Sequence, residues 1–169
     1  MFNPIRITTA AAAFIGAAAL FATAAQAGSS NANLGVSATV NGSCTLSTTA
    51  LAFGTVDTLS ASPVLGTGGL SISCTNGSTW TASAGVGAGS GATFAARRMT
   101  SGANTLNYQI YTDSGRTTLW GDGTLSTSTI GGTGTGGAQA VTVYGRIPAG
   151  QTTAPAGTYA DTVAVTVTY

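Results

Sequence analysis

The chain has 169 residues, with five Arg and four Asp as its only charged side chains, and no Lys, Glu or His. Beyond residue 27, Arg97, Arg98, Arg116 and Arg146 balance Asp57, Asp113, Asp122 and Asp161, so that stretch is neutral overall. A nucleic-acid partner needs a basic stripe, which four scattered arginines do not form. Acid–base catalysis would fall to a few Asp or Tyr groups, with no spacing that pairs two carboxylates across a cleft, so no catalytic residues are assigned. Near-zero charge on a Ser-, Thr- and Gly-rich surface instead favours association between copies.

Residues 1–27 read as a signal peptide. Arg6 supplies a basic start, Ala10 to Ala25 an apolar run, and Ala25-Gln26-Ala27 a small-x-small cleavage site ahead of Gly28. The run falls short of the ~18–20 residues of a spanning helix, so export is the expectation.

Residues 28–41 carry the next signal. Leu34, Val36, Ala38 and Val40 alternate with Gly35, Ser37 and Thr39, the period-two pattern of a strand with one buried face. Asn41-Gly42-Ser43 separates this strand from the remainder of the chain, so it is free to leave its own domain and pair with another molecule. The plainer alternatives are an edge strand of a complete monomeric sandwich, or a tail that fills its own groove. At the other end of the chain, Val163, Val165, Val167 and Tyr169 alternate with Ala164, Thr166 and Thr168 and form the matching strand. The two ends are expected to pair, in different copies.

Cys44 and Cys74 are the two cysteines. In an exported chain an even count reads as a disulfide, and two thiols without His or acidic neighbours are too few for a zinc site. Asp113 and Asp122 sit beside turn glycines without a ligand-dense calcium loop, so they read as turn supports and no metal or cofactor is expected. The sequons Asn41-Gly42-Ser43 and Asn76-Gly77-Ser78 also read as turns.

Between these landmarks the pattern is all-β. Strands are expected around Leu51, Phe53 and Val56, around Leu70, Ile72 and Cys74, and around Trp80, Ala82 and Ala84. Further strands are expected around Leu106, Tyr108 and Ile110, around Val141, Val143 and Tyr144, and from Tyr159 to the end. Asn76-Gly77 resembles a tight hairpin turn. That register would place Ile72 opposite Thr81 and turn Trp80 to the other face, so apolar parity disfavours it. Either the loop has an odd length or the flanking strands belong to different sheets, and the second is preferred. Gly85–Gly91 and Thr124–Gly137 read as long surface loops. Trp80 is expected in the core, Trp120 in a structural role despite flanking glycines that would allow exposure, and Asp161 in an ion pair with Arg146.

From Leu106 onward the residues resemble a known family. Leu106-Asn107-Tyr108-Gln109-Ile110-Tyr111-Thr112-Asp113, Trp120-Gly121-Asp122-Gly123 and Val143-Tyr144-Gly145-Arg146-Ile147-Pro148 are similar to the spore coat protein U family. The most specific stretch is Ala156-Gly157-Thr158-Tyr159-Ala160-Asp161-Thr162-Val163, followed by Val165-Thr166-Val167-Thr168-Tyr169. Cys44, Leu51-Ala52-Phe53-Gly54 and Cys74-Thr75 agree as well. This family includes subunits of archaic chaperone–usher pili of Gram-negative bacteria. The resemblance implies an incomplete immunoglobulin-like β-sandwich over residues 42–169, completed by a donor strand. It further implies a periplasmic chaperone and an outer-membrane usher as partners, identical or related subunits as neighbours in a homopolymer, and a surface location supporting adhesion and biofilm formation. Better-known pilins have a penultimate aromatic and an upstream glycine that falls where Ala156 stands. Here Tyr169 is terminal and the glycine is Gly157, which favours the archaic branch. A monomeric lectin-like adhesin and a non-fibrous surface coat protein of the same fold are the alternative readings.

Overall fold

The computed structural model describes residues 26–169, so nearly all of the expected signal peptide lies outside the described residues. The chain divides into two units, one ending at Ala38 and the other running from Thr39 to Tyr169. Residues 26–43 carry no regular secondary structure, and Leu34 and Val36 are 88% and 87% exposed. The second unit is all-β.

Its strands are β1 (Cys44–Ala52), β2 (Val64–Cys74), β3 (Thr79–Ala84), β4 (Arg97–Ser101), β5 (Asn104–Tyr111), β6 (Ile130–Thr133), β7 (Ala138–Ile147) and β8 (Val165–Thr168). They form a five-stranded sheet, in the order β1-β2-β7-β5-β4, and a three-stranded sheet, β6-β3-β8. All strand pairings within the two sheets are antiparallel. The Asn76-Gly77 turn therefore joins strands of different sheets, the preferred of the two arrangements that the parity of Ile72 and Trp80 allows.

The alternation of each strand sets the core. Leu70, Ile72 and Cys74 of β2, Trp80, Ala82 and Ala84 of β3, Leu106, Tyr108 and Ile110 of β5, and Val143 and Ile147 of β7 are all buried. Gly145 takes the inward position between the last two because a Cβ there would lie 2.6 Å from Leu51 Cδ2 and 2.7 Å from Phe53 Cζ. Both side chains can thus press down onto the sheet. Phe53 in turn meets Tyr108 edge-on, with ring centroids 6.1 Å apart.

Several expectations change. Phe53 and Val56 fall outside β1, although both pack against the core as half-buried side chains. A register shift between Thr49 and Ala52 bulges β1 just before it ends. β4 lies where no strand was expected, and β6 falls inside Thr124–Gly137, expected as loop. The final ladder starts at Val165. Near Tyr159 there is only a single bridge, Ala160 to Thr100.

A disulfide joins Cys44 to Cys74, which are also register partners of β1 and β2, across a sequence separation of 30. Cross-linking a loop of that length removes chain entropy from the unfolded state worth about 3–4 kcal/mol. Reduction is expected to lower the free energy of unfolding in urea by that amount, seen as a lower midpoint. An unmoved midpoint in dithiothreitol would show that the bridge contributes nothing to stability.

Candidate functional site: a groove with two unpaired strand edges

β1 pairs with β2 alone and β8 with β3 alone among the described residues, so each keeps one open backbone edge. Between these edges lies a cleft of about 430 Å³, lined on one side by Thr48–Leu51 and Phe53 and on the other by Tyr159–Val163 and Val165. Its floor is the core itself, from Leu70, Ile110, Trp120 and Val143. A second cavity of about 730 Å³ shares Leu51, Phe53, Met99 and Tyr159 with the first and continues past Val56, Leu106, Ile147 and Ala154. Together they make one apolar groove. Buried core side chains open to a groove, beside two unsatisfied edges, form a surface that pairs with a further strand or aggregates.

Of the C-terminal residues assigned to this site, Val163 and Val165 line the groove, and Val167 packs against the core without lining it. Tyr169 follows β8 and is 61% exposed. At the other end, Leu34, Val36, Ala38 and Val40 are exposed and belong to no strand. Leu51 was legible as a strand residue, Phe53 lines the groove from just beyond β1, and Met99 and Tyr159 as groove walls were not legible. Met99 sits in a run, Arg97-Arg98-Met99, whose charges conceal the alternation.

The polar residues serve the scaffold around the groove. Asp113 accepts from Thr118 N (2.7 Å), from Thr117 N (3.1 Å) and from Thr117 Oγ1 (3.0 Å), and these bonds, Thr118 first, hold its carboxyl below the usual range. Asp122 accepts from the Thr124 hydroxyl (2.7 Å) and amide (2.9 Å), with the same consequence. Both are turn supports. Among the described residues no group of three or more His, Cys, Asp or Glu gathers in one place.

Trp120 is 2% exposed, and its indole N–H donates to Ala82 O at 3.1 Å. The flanking glycines therefore do not expose it. Arg97 is fully buried and spends its donors on carbonyls: Nε and Nη2 on Gly85 O (3.0 and 2.8 Å), and Nη2 on Trp120 O (2.7 Å). Burial is the main influence on this guanidinium and lowers its pKa, while Tyr108 and Asp161 work against that.

The expected ion pair of Asp161 with Arg146 does not form. Arg146 lies between inward-facing Gly145 and Ile147 on β7 and so projects from the outer face, with Nε unpartnered. Asp161 faces inward and accepts from Tyr108 Oη at 2.6 Å. Opposite faces of a sheet keep the two charges apart.

Residues 30–166 match the family model described as the Spore Coat Protein U domain. The chain belongs to the spore coat protein U domain family. "Protein U" of Myxococcus xanthus is 40% identical over 179 residues, spanning 96% of this chain and 98% of that protein. Among solved structures, the fold matches the chaperone–tip adhesion subunit pre-assembly complex (CsuC–CsuE) from archaic chaperone–usher Csu pili of Acinetobacter baumannii. The TM-score is 0.56 at 26% identity, covering 78% of this chain and 40% of that one. This chain thus spans well under half the length of its structural relative. The architecture of this member of the spore coat protein U family is that of a chaperone–usher pilus subunit.

Proposed function

We propose that this chain is a structural subunit of a bacterial surface pilus, polymerised head to tail by donor-strand complementation. The observation that carries this reading is the open groove between β1 and β8 in a chain that also bears a period-two apolar row at Leu34–Val40. A strand entering the groove pairs backbone with the free edges and sets alternate side chains against the exposed core. The donor is the 28–41 segment of the next copy. Until that exchange the groove needs a substitute, which is the work of a periplasmic chaperone, and an outer-membrane usher hands the subunit on. The structural relative, described as a chaperone–subunit complex, supports this route. The product is a neutral fibre outside the cell, suited to adhesion and biofilm formation.

The similarity to Protein U along nearly the whole of both chains favours a second reading, a coat protein of the same fold that forms no fibre. Assembly state separates the two. Secreted protein is expected to run as an SDS-resistant ladder that collapses to monomer on boiling, because interlocked strands separate only through unfolding. A single monomeric species in size-exclusion chromatography, with its tail intact and no chaperone bound, would exclude polymerisation.

A further inference from the structure

The residues leading into β8 contain a device of their own. Tyr159, Asp161, Val163, Val165 and Val167 all face inward and are half-buried. Asp161 is the charged member of this row, and it lines the groove. Just before it, Ala160 exchanges two backbone hydrogen bonds with Thr100 of β4 in the larger sheet (2.8 and 3.1 Å). Just after it, Ala164 O accepts from Gly85 N at 2.9 Å, and β8 then joins β3 in the smaller sheet. The chain crosses from one sheet to the other at Asp161–Val163, where among the described residues the backbone has no cross-strand partner.

The Asp161 carboxylate supplies what the backbone lacks. Oδ2 accepts from Tyr108 Oη (2.6 Å), while Oδ1 accepts from Ala88 N (2.7 Å) and from Thr162 N (2.8 Å). Each of the distant partners is itself fixed. Tyr108 is 4% exposed in the core, and its phenol is pushed up, first by burial and then by the bond to Asp161. Ala88 is presented by a loop whose start, Gly85, is gripped by two nitrogens of buried Arg97. Gly87 between them has φ +97°, and a Cβ there would fall on the Asp161 carboxylate. At Gly87 the loop is shaped around this side chain.

Resting on the pilus reading above, we propose that Asp161 is a positioning residue: it latches the crossing segment to Tyr108 and Ala88 and so holds the groove edge extended for the incoming strand of a second copy. Without the latch, Asp161–Val163 must be ordered each time a strand binds, which slows capture. The same carboxylate satisfies the inward position with polar partners, so the edge is held open without an apolar plug of its own.

The test uses the full chain carrying Val36→Asp, so that its own tail is disabled as donor, and a fluorescent synthetic peptide of residues 28–41 as probe. Capture is followed by anisotropy, and local order by hydrogen exchange. Asp161→Ala and Tyr108→Phe are each expected to slow capture at least tenfold, with faster exchange confined to residues 86–89 and 159–165. Asp161→Asn should recover much of the rate, because the Tyr108 hydroxyl can turn to accept from the amide. Equal capture by all variants would overturn the latch and leave the pilus reading intact. So would protection from exchange lost throughout β2 and β7, which marks a merely structural role. No capture even by the chain with Asp161 and Tyr108 unchanged would overturn the pilus reading, and the latch with it.

Discussion

Trp120→Ala is expected to lose about 3–5 kcal/mol of stability, the cost of truncating a large buried aromatic. Set against a typical total of about 5–15 kcal/mol, that leaves the body barely folded or unfolded. Three contacts make this position sensitive. The indole donates to Ala82 O of β3 in the smaller sheet. The backbone amide donates to Ile110 O of β5 in the larger one, at 2.9 Å. The carbonyl receives buried Arg97. One residue therefore ties both sheets to the charge in the core, and truncation leaves a cavity and removes the indole bond to Ala82 O. Leu125→Ala is the control, since Leu125 is 83% exposed at a loop tip and its loss should fall within about 0.5 kcal/mol. Urea unfolding of the two variants decides the matter. Equal midpoints would mean that the Trp120 side chain does not help to hold the sheets together.

The expectation that Trp120 is structural came from its motif, and the glycines around it pointed the other way. Similar tensions mark what the sequence could and could not convey. Apolar parity across Asn76-Gly77 was enough to exclude the tight hairpin, since Ile72 and Trp80 must both face inward, and of the two arrangements it left, an odd-length loop or different sheets, the structure has the second. β6 escaped notice because Gly131 and Gly132 supply no side chains to alternate, although Gly132 pairs with Trp80 in the ladder. β4 escaped because the charges of Arg97 and Arg98 interrupt the apolar alternation. Arg97 is an inward residue, tolerated there because carbonyls of Gly85 and Trp120 take its protons.

Long-range polar choices were the least legible. Asp161 and Arg146 have opposite charges, and nothing in their spacing reveals that they project from opposite faces. Tyr108, the true partner, lies 53 positions from Asp161 and becomes a candidate only when both are seen to face inward. The groove itself is legible only as an absence, a sandwich of eight strands with open edges at β1 and β8. In the proposed fibre what fills such a gap belongs to another molecule; the alternation at Leu34–Val40 reads clearly in sequence and forms no strand among the described residues.

That alternation leads to the result with the largest functional effect. Val36→Asp is expected to abolish the chain's capacity as donor. In the proposed fibre Val36 enters a groove floored by Leu70, Ile110, Trp120 and Val143, all apolar and buried. An unpaired carboxylate there costs several kcal/mol, enough to cancel most of what four small apolar side chains contribute on burial. The variant's own body starts at Thr39 and its first strand at Cys44, so folding, the disulfide and the open groove should be unchanged. It should therefore fail as donor while still accepting a wild-type strand. Ser37→Asp places the same charge one residue along, on the face directed away from the groove, and should assemble nearly as well as wild type. Mixing each variant with tagged wild-type subunits and following incorporation on non-boiled gels separates the two roles: Val36→Asp caps chains at one end, and Ser37→Asp extends them. Equal assembly of Val36→Asp and wild type, or equal loss in both variants, would mean that this row does not carry the polymer contact.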